Sequence, residues 1–279
     1  MSIYNPKITT IGGGVEIVHV IPIETEIDRA VRVFEIEDGF KANKACILSG
    51  VFALGLETEE EANHYLNEVR RRLEAQGIKV EVIPTHTMSI LDVISKVSKI
   101  VKEEREKGNI VYVNMSAGGP FVSVGTALAT MVQDARLYYV RAAKLSLTPQ
   151  EKWAHGNAVV TEPQVHFLEN FKIQLPDARS QSLLVELYKR GEMRTSDILK
   201  FLHESGEEGF EDNPEGLRRS DKIGMLMRLN KGITGKLEAA GYIVKEKRGR
   251  ENLYMITDSG KYVACVSGLV EAAPRNPFN

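Results

Sequence analysis

The chain has 279 residues, with 36 Lys and Arg against 38 Asp and Glu, so its formal net charge is −2. This composition is typical of a soluble globular protein, and the length predicts about two domains. The two cysteines, Cys46 and Cys265, are too few for a disulfide framework or a zinc cage. The initial segment MSIYNPKITT lacks the basic and apolar regions of a signal peptide, so we expect a cytoplasmic protein.

Residues 15–141 alternate short β-branched runs with segments of helical periodicity. This alternation predicts an α/β fold, with a parallel Rossmann-like sheet that carries helices on both faces. The predicted strands are Val15–Pro22, Lys44–Gly50, Ile78–Ile83, Asn109–Asn114 and Arg136–Arg141. The predicted helices are Glu26–Phe34, Thr58–Gln76, Ser89–Lys107 and Pro120–Asp134.

Residues 108–133 contain no charged side chain and were considered as a membrane span. Asn114, Ser116 and Pro120 lie in the middle of this stretch, where a lipid-facing helix would leave backbone groups unpaired. We therefore predict a buried strand, a tight loop and a buried helix here, and no membrane partner.

The first and fourth predicted strands would be neighbours where the strand order reverses, and ligands of such sheets bind beyond the carboxyl ends of the strands at that point. The two loops there are Pro22–Glu26 and Asn114–Gly119. In the second loop, glycines permit close backbone approach, the next helix presents free N–H groups, and Asn114 and Ser116 add donors. An anion or a nucleotide phosphate would suit this loop; the alternative is a tight turn with a capped helix. His86 follows the third strand and is a candidate for the same crevice, although a lone histidine is more often structural.

Other catalytic and cofactor signals are missing from the sequence. It contains no G-x-G-x-x-G after a strand, no P-loop, no G-x-S-x-G elbow and no H-E-x-x-H. We therefore predict no cofactor and no metal site. Ser116 has no neighbouring His or Lys in the sequence, so we expect hydrogen bonding from it rather than nucleophilic attack.

The second half of the chain changes character. The domain boundaries predicted from the sequence are 1–145 for the sheet domain, 146–176 for a connector that contains the single tryptophan, Trp153, and 177–279 for a second domain. In this second domain, helical patterns at Arg179–Arg190, Thr195–His203 and within Ser220–Ala240 precede two strands with a basic, glycine-containing turn. This order predicts a winged helix-turn-helix domain, which places its third helix in the DNA major groove and its wing beside the phosphates.

Charge is segregated in this second domain. Residues 218–250 hold ten Lys or Arg against three acidic residues, whereas residues 204–216 hold six acidic residues and no basic one and look like a solvated insertion. The basic segment favours DNA binding over a winged helix used only for protein contacts or a simply solvated basic face. A helical wheel puts Arg228 and Lys231 nearly opposite a core side of Ile223, Leu226, Met227, Ile233, Leu237 and Ala240. The candidate DNA contacts are Arg218, Arg219, Lys222, Arg228, Lys231, Lys247, Arg248 and Arg250.

Two segments, VHVIPIETEIDRA and VNMSAGGPFVSVGTALATM, resemble the CARF domain (CRISPR-associated Rossmann fold). The arrangement of this domain followed by a winged helix-turn-helix is similar to that of archaeal CARF-type transcriptional regulators. The resemblance covers nearly the whole chain, and its most specific element is the Asn-x-Ser-x-Gly-Gly loop that enters an apolar helix.

The resemblance implies a homodimer whose paired CARF domains bind a cyclic oligoadenylate or related nucleotide, and a ligand-responsive regulator that binds DNA. The alternative is a ring nuclease that cleaves cyclic oligoadenylate, with Ser116 helping to position the attacking 2′-hydroxyl. The family pattern often has Thr and then Lys after the two glycines, where this chain has Pro120 and Phe121. The candidate ligand residues are Ile23, Glu24, Thr25, Arg29, His86, Asn114, Ser116, Ala117, Gly118 and Gly119.

Overall fold

The computed structural model of the protein describes residues 14–36, 39–50, 59–171 and 173–270. The chain divides into two compact units, with the boundary between Ile173 and Gln174. No helix in the described part of the chain combines the length and the apolar composition needed to cross a bilayer.

The first unit contains the predicted Rossmann-like sheet. Its parallel strands lie in the order β3-β2-β1-β4-β5, so β1 and β4 are neighbours where the order reverses, as predicted. The strands are β1 Ile17–Ile23, β2 Lys44–Gly50, β3 Lys79–Thr85, β4 Ile110–Asn114 and β5 Arg136–Arg141. The helices are α1 Asp28–Glu35, α2 Glu59–Ala75, α3 Ile90–Glu106 and α4 Pro120–Gln133. Thr58, the predicted start of α2, lies outside the described residues.

Alternating side chains of the sheet enter two separate cores. Ile21 and Ile47 pack with residues of α1 and α2, whereas Val18, Val20 and Cys46 pack with residues of α3 and α4. Both faces of the sheet are therefore covered by helices, as the continuous apolar runs of its strands require.

The segment predicted as a connector, residues 146–176, contributes structure to the first unit, which extends to Ile173. Strand β6 (Lys144–Leu145) pairs with β7 (Ala158–Val159), and helix α5 (Pro149–His155) lies between them. Strand β8 (Gln164–Leu168) then adds to the sheet antiparallel to β5. Two prolines of this segment lie at element boundaries: Pro149 is in the first turn of α5, which Thr148 caps, and Pro163 precedes β8.

The second unit is a winged helix domain, as predicted. Its antiparallel sheet has the order β10-β11-β9. The elements are α6 Ala178–Arg190, β9 Glu192–Arg194, α7 Thr195–Glu204, α8 Arg219–Leu229, α9 Gly235–Ala239, β10 Ile243–Arg248, β11 Glu251–Ile256 and α10 Asp258–Val266. A π-helical turn, Asn230–Thr234, joins α8 to α9, so these segments form one continuous third helix.

The predicted core face of the third helix is partly wrong, because this π turn changes which side chains are buried. The N–H of Gly235 bonds to Asn230 O, and a Cβ on Gly235 would stand 2.4 Å from that oxygen, so the turn depends on glycine. The extra residue shifts the helical phase by about 100°. Downstream, Ile233 and Leu237 are buried as predicted, although Ala240 is exposed. Upstream, the buried residues are Met225 and Leu229, whereas Ile223 and Met227 are exposed and Leu226 is half-buried.

Candidate functional site

The structure joins the two predicted ligand loops at the carboxyl ends of β1 and β4. The N–H of Glu24 donates to Ala117 O at 3.4 Å. The Arg29 guanidinium donates to Ser116 O at 3.4 Å, and Asn114 Nδ2 donates to Arg29 O at 2.9 Å. Three hydrogen bonds between segments about 90 residues apart in the chain therefore hold the two loops as one surface.

Asn114 and Ser116 form the interior of the second loop. Asn114 Oδ1 accepts hydrogen bonds from the N–H of Ser116 at 2.8 Å and from its hydroxyl at 2.7 Å. The Ser116 hydroxyl in turn accepts the N–H of Val140 at 3.0 Å. Both side chains are buried. These two side chains use their hydrogen bonds within the protein and so fix the shape of the loop. The groups that remain available to a ligand are the backbone around Gly118–Gly119 and the first N–H groups of α4.

The two glycines of the loop are required by close contacts. A Cβ on Gly119 would lie 2.7 Å from Glu24 Oε2, and a Cβ on Gly118 would lie 2.6 Å from Cγ1 of the buried Val122. Gly119 is the N-cap of α4, so the Glu24 carboxylate lies where the helix dipole favours a negative charge. The position expected for a ligand anion is therefore next to a carboxylate of the protein itself.

Beside the first loop, one cation at the start of α1, Arg29, lies among acidic groups. Arg29 pairs with Glu26 at 3.1 Å and lies 5.7 Å from the centre of the Tyr139 ring. Burial raises the pKa of Glu26 to about 7, although the Arg29 charge acts in the opposite direction. Asp28 is buried and accepts hydrogen bonds from the N–H of Val160 at 2.9 Å and from His155 Nδ1 at 3.1 Å. The Asp28 carboxylate therefore links the start of α1 to the segment that begins at the end of α5.

Residues 155–157, at the end of α5, form one side of this site, which was not predicted from the sequence. The N–H of Asn157 donates to Thr25 O at 2.9 Å, and the N–H of Ile27 donates to His155 O at 3.2 Å. Gly156 has φ +82, and a Cβ there would stand 2.5 Å from Thr25 O. The segment after α5 therefore packs directly on the first loop. No local signal marks this contact, because it joins residues separated by about 130 positions.

Three of the other predicted ligand residues either bury their side chains or lie apart from the two loops. The side chains of Ile23 and Ala117 are buried, so only their backbone groups can face a ligand. His86 follows β3, and its N–H donates to Asp92 Oδ2 at 2.7 Å. Because β3 is two strands from β1 and three from β4, the end of β3 that precedes His86 is displaced sideways by about 10 Å from the first loop and about 14 Å from the second.

In the second unit, the predicted DNA-contacting side chains are all exposed. The wing is the β10–β11 hairpin, in which Arg248 pairs with Glu251 across a two-residue turn. Gly249 starts this turn with φ +64, which suits a glycine-first hairpin turn. The exposed set is Arg218, Arg219, Lys222, Arg228, Lys231, Lys247, Arg248 and Arg250.

The acidic segment 204–216 is anchored rather than simply solvated. Phe210 is buried, and its carbonyl oxygen lies 3.1 Å from His203 Nδ1. A shallow groove of about 380 Å³ separates this segment from α8 and is lined by Glu208, Phe210, Met227 and Arg228, among others. The acidic segment therefore borders one flank of the third helix.

Known structures with similar folds are distant. A structure of Csm6 from Enterococcus italicus, bound to cyclic hexa-2′-fluoro-hexa-dAMP, is 11% identical with a TM-score of 0.41 and matches 78% of this chain. Protein VC1899 from Vibrio cholerae is 12% identical with a TM-score of 0.38 over 89% of this chain. Can2 from Sulfobacillus thermosulfidooxidans, in complex with cyclic tetra-adenylate, is 10% identical with a TM-score of 0.35 over 88% of this chain. The matched regions cover 56%, 64% and 61% of those three chains, so this chain spans less than two thirds of the length of each.

Two family descriptions match separate parts of the sequence. Residues 17–145 match the HFX_2341_N-like N-terminal domain, and residues 179–268 match the DUF6293 C-terminal winged helix domain. A search of curated proteins found no significant match. The second match agrees with the winged helix domain predicted from the sequence, and the first covers the predicted sheet domain. The chain thus resembles the HFX_2341_N-like domain in its first unit and the DUF6293 winged helix domain in its second.

Proposed function

We propose that this protein is a CRISPR-associated transcriptional regulator that binds DNA in response to a cyclic oligoadenylate or a related nucleotide. One observation carries this proposal: a single chain joins two contacting loops at the reversal of strand order to a winged helix domain whose third helix and wing expose the eight predicted cations, together with Lys236 and Lys245. The first feature suits a small ligand and the second suits a polyanionic duplex.

The chemistry of the loops favours a nucleotide over a simple anion. Backbone N–H groups at the start of α4 can donate to phosphate oxygens. The Glu24 carboxylate beside them would repel a bare anion, but it accepts hydrogen bonds from hydroxyl and amino groups. A nucleotide offers both kinds of group, since its ribose hydroxyl and adenine amino groups are donors. Glu24 would then select against inorganic phosphate.

A homodimer formed by the sheet domain is part of the proposal. Phe121 and Val124 lie in the first turns of α4, beside the ligand loop, with 51% and 50% of their surface exposed. Exposed apolar side chains grouped beside a polar loop are typical of an association surface. Two-fold pairing there would bring two copies of the loop together and would match a two-fold related DNA site.

The ring-nuclease alternative has less support. The Ser116 hydroxyl donates to Asn114 and accepts from Val140, so a catalytic role would require these buried hydrogen bonds to be broken. We therefore place Ser116 in the framework of the loop.

The proposal is tested by titrating the protein with cyclic tetra-adenylate and cyclic hexa-adenylate, with linear oligoadenylate as the control ligand. We expect calorimetric binding of a cyclic ligand without cleavage, and a change in affinity for duplexes selected from a randomised DNA pool. Gly119→Ala should weaken ligand binding by displacing Glu24, whereas Gly14→Ala should not, because no atom lies within 4 Å of a Cβ at Gly14.

Three outcomes would contradict the proposal. Rapid cleavage of the ring would support the nuclease, and failure to select any duplex would exclude the regulator. Binding that is unchanged in Gly119→Ala would show that the ligand lies elsewhere.

A further inference from the structure

The outward face of α8 carries two exposed apolar side chains, Ile223 and Met227, together with Ser220. At 100° per residue, Ile223 and Met227 both lie within about 40° of the direction opposite the buried pair Met225 and Leu229. Of their surfaces, 48% and 59% respectively are exposed to solvent. The π turn contributes to this arrangement: without the extra residue, Ile223 would lie about 60° from the core direction set by Ile233 and Leu237, and Met227 would lie about 100° from it.

One arginine of α8 lies on each side of this face, and on the Arg228 side the exposed Asp221 and the acidic segment 204–216 lie nearby. On the same wheel, Arg219 and Arg228 lie on opposite sides, roughly 80° to 100° from the centre of the face. A groove of about 570 Å³ next to the wing adds Lys222 and Arg250. Exposed apolar side chains flanked by arginines complement a DNA major groove, whose floor carries apolar methyl groups between two phosphate backbones.

We propose that Ile223 and Met227 contact thymine 5-methyl groups, so that the preferred DNA site carries A·T pairs beneath α8. Neither side chain has a hydrogen-bond donor, so neither can read guanine or cytosine in the way that Arg or Glu does. The methyl group of thymine is the apolar feature of the major groove that such side chains can recognise. The inference rests on the proposed function and adds the class of sequence that the third helix selects.

The test compares thymine with deoxyuridine, which lacks only the methyl group. The full-length protein selects duplexes from a randomised pool, and the best duplex is remade with uracil in place of individual thymines. Wild-type affinity should fall about fourfold for each contacted methyl group that is removed. In the variant Ile223→Ala/Met227→Ala, affinity for the thymine duplex should fall, and uracil should then have no further effect.

Leu269→Ala is the matched control, because Leu269 is an exposed apolar residue of the same unit that lies after α10. Circular dichroism should show both proteins folded, since the replaced side chains are exposed. Equal wild-type affinity for thymine and uracil duplexes would overturn the inference and leave DNA binding intact. Failure to select any duplex would instead remove the proposed function. Loss of self-association in the double variant, without any thymine preference in the wild type, would assign the face to a second copy of the chain.

Discussion

Replacing Lys247, Arg248 and Arg250 together with alanine tests whether the β10–β11 wing contacts DNA phosphates. Each phosphate contact releases counterions and adds about 0.9 to the slope of log K against log salt concentration. Lys247 and Arg250 are exposed, whereas Arg248 lies 3.7 Å from Glu246 in an exposed ion pair. Because exposed pairs are weak, we expect Arg248 to be available as well. The slope should therefore fall by about 1.8 if two cations contact DNA, and by about 2.7 if all three do.

Fluorescence anisotropy over a series of salt concentrations measures this slope, with several unrelated duplexes as ligands. The loss of affinity should be similar for every duplex, because phosphate contacts carry no sequence information. The control Arg70→Ala/Arg71→Ala/Lys107→Ala removes the same charge from exposed positions of the sheet domain. An unaltered affinity and slope in the wing variant would refute the reasoning, and so would an equal effect in the control.

The remaining predictions concern the cores, the ligand loop and assembly. In denaturant titrations, Met225→Ala should lower the free energy of unfolding by about 2–5 kcal/mol, whereas Met227→Ala should change it by less than about 0.5 kcal/mol. Because the pKa of Glu26 is raised from 4.5 to about 7, its ionisation opposes folding, and the free energy of unfolding should decrease by up to about 3 kcal/mol as pH rises through this range. Glu26→Gln should flatten that dependence, and an unchanged slope would contradict the assignment. Phe121→Asp should shift light scattering from dimer towards monomer without loss of helix content.

Much of the fold could be predicted from the sequence because its signals are local. The β1–β5 strands are short apolar runs, and each lies next to a helical segment within the same stretch of chain. The reversal between β1 and β4 follows from the handedness of the crossovers, so the two ligand loops could also be predicted from the order of elements. In the winged domain, the helix order and the glycine turn at Gly249 were likewise visible in the sequence.

The roles of particular side chains depended on contacts that no local pattern encodes. The wall formed by residues 155–157 meets Thr25 across about 130 residues, so the periodicity of neither segment could predict the contact. Asn114 and Ser116 are side chains of the kind that donate to ligands, but the N–H of Val140 and the carbonyl oxygen of Arg29 in α1 direct them inward.

For the third helix, the sequence by itself predicted a helix within Ser220–Ala240 that carries both apolar and basic side chains. The π turn at Asn230–Thr234 determines which of these side chains face outward. A wheel assumes a constant 100° per residue, and one inserted residue turns all upstream side chains by that angle. Tertiary packing of Met225 and Leu229 selects this phase, because burying these two side chains leaves Ile223 and Met227 on the surface.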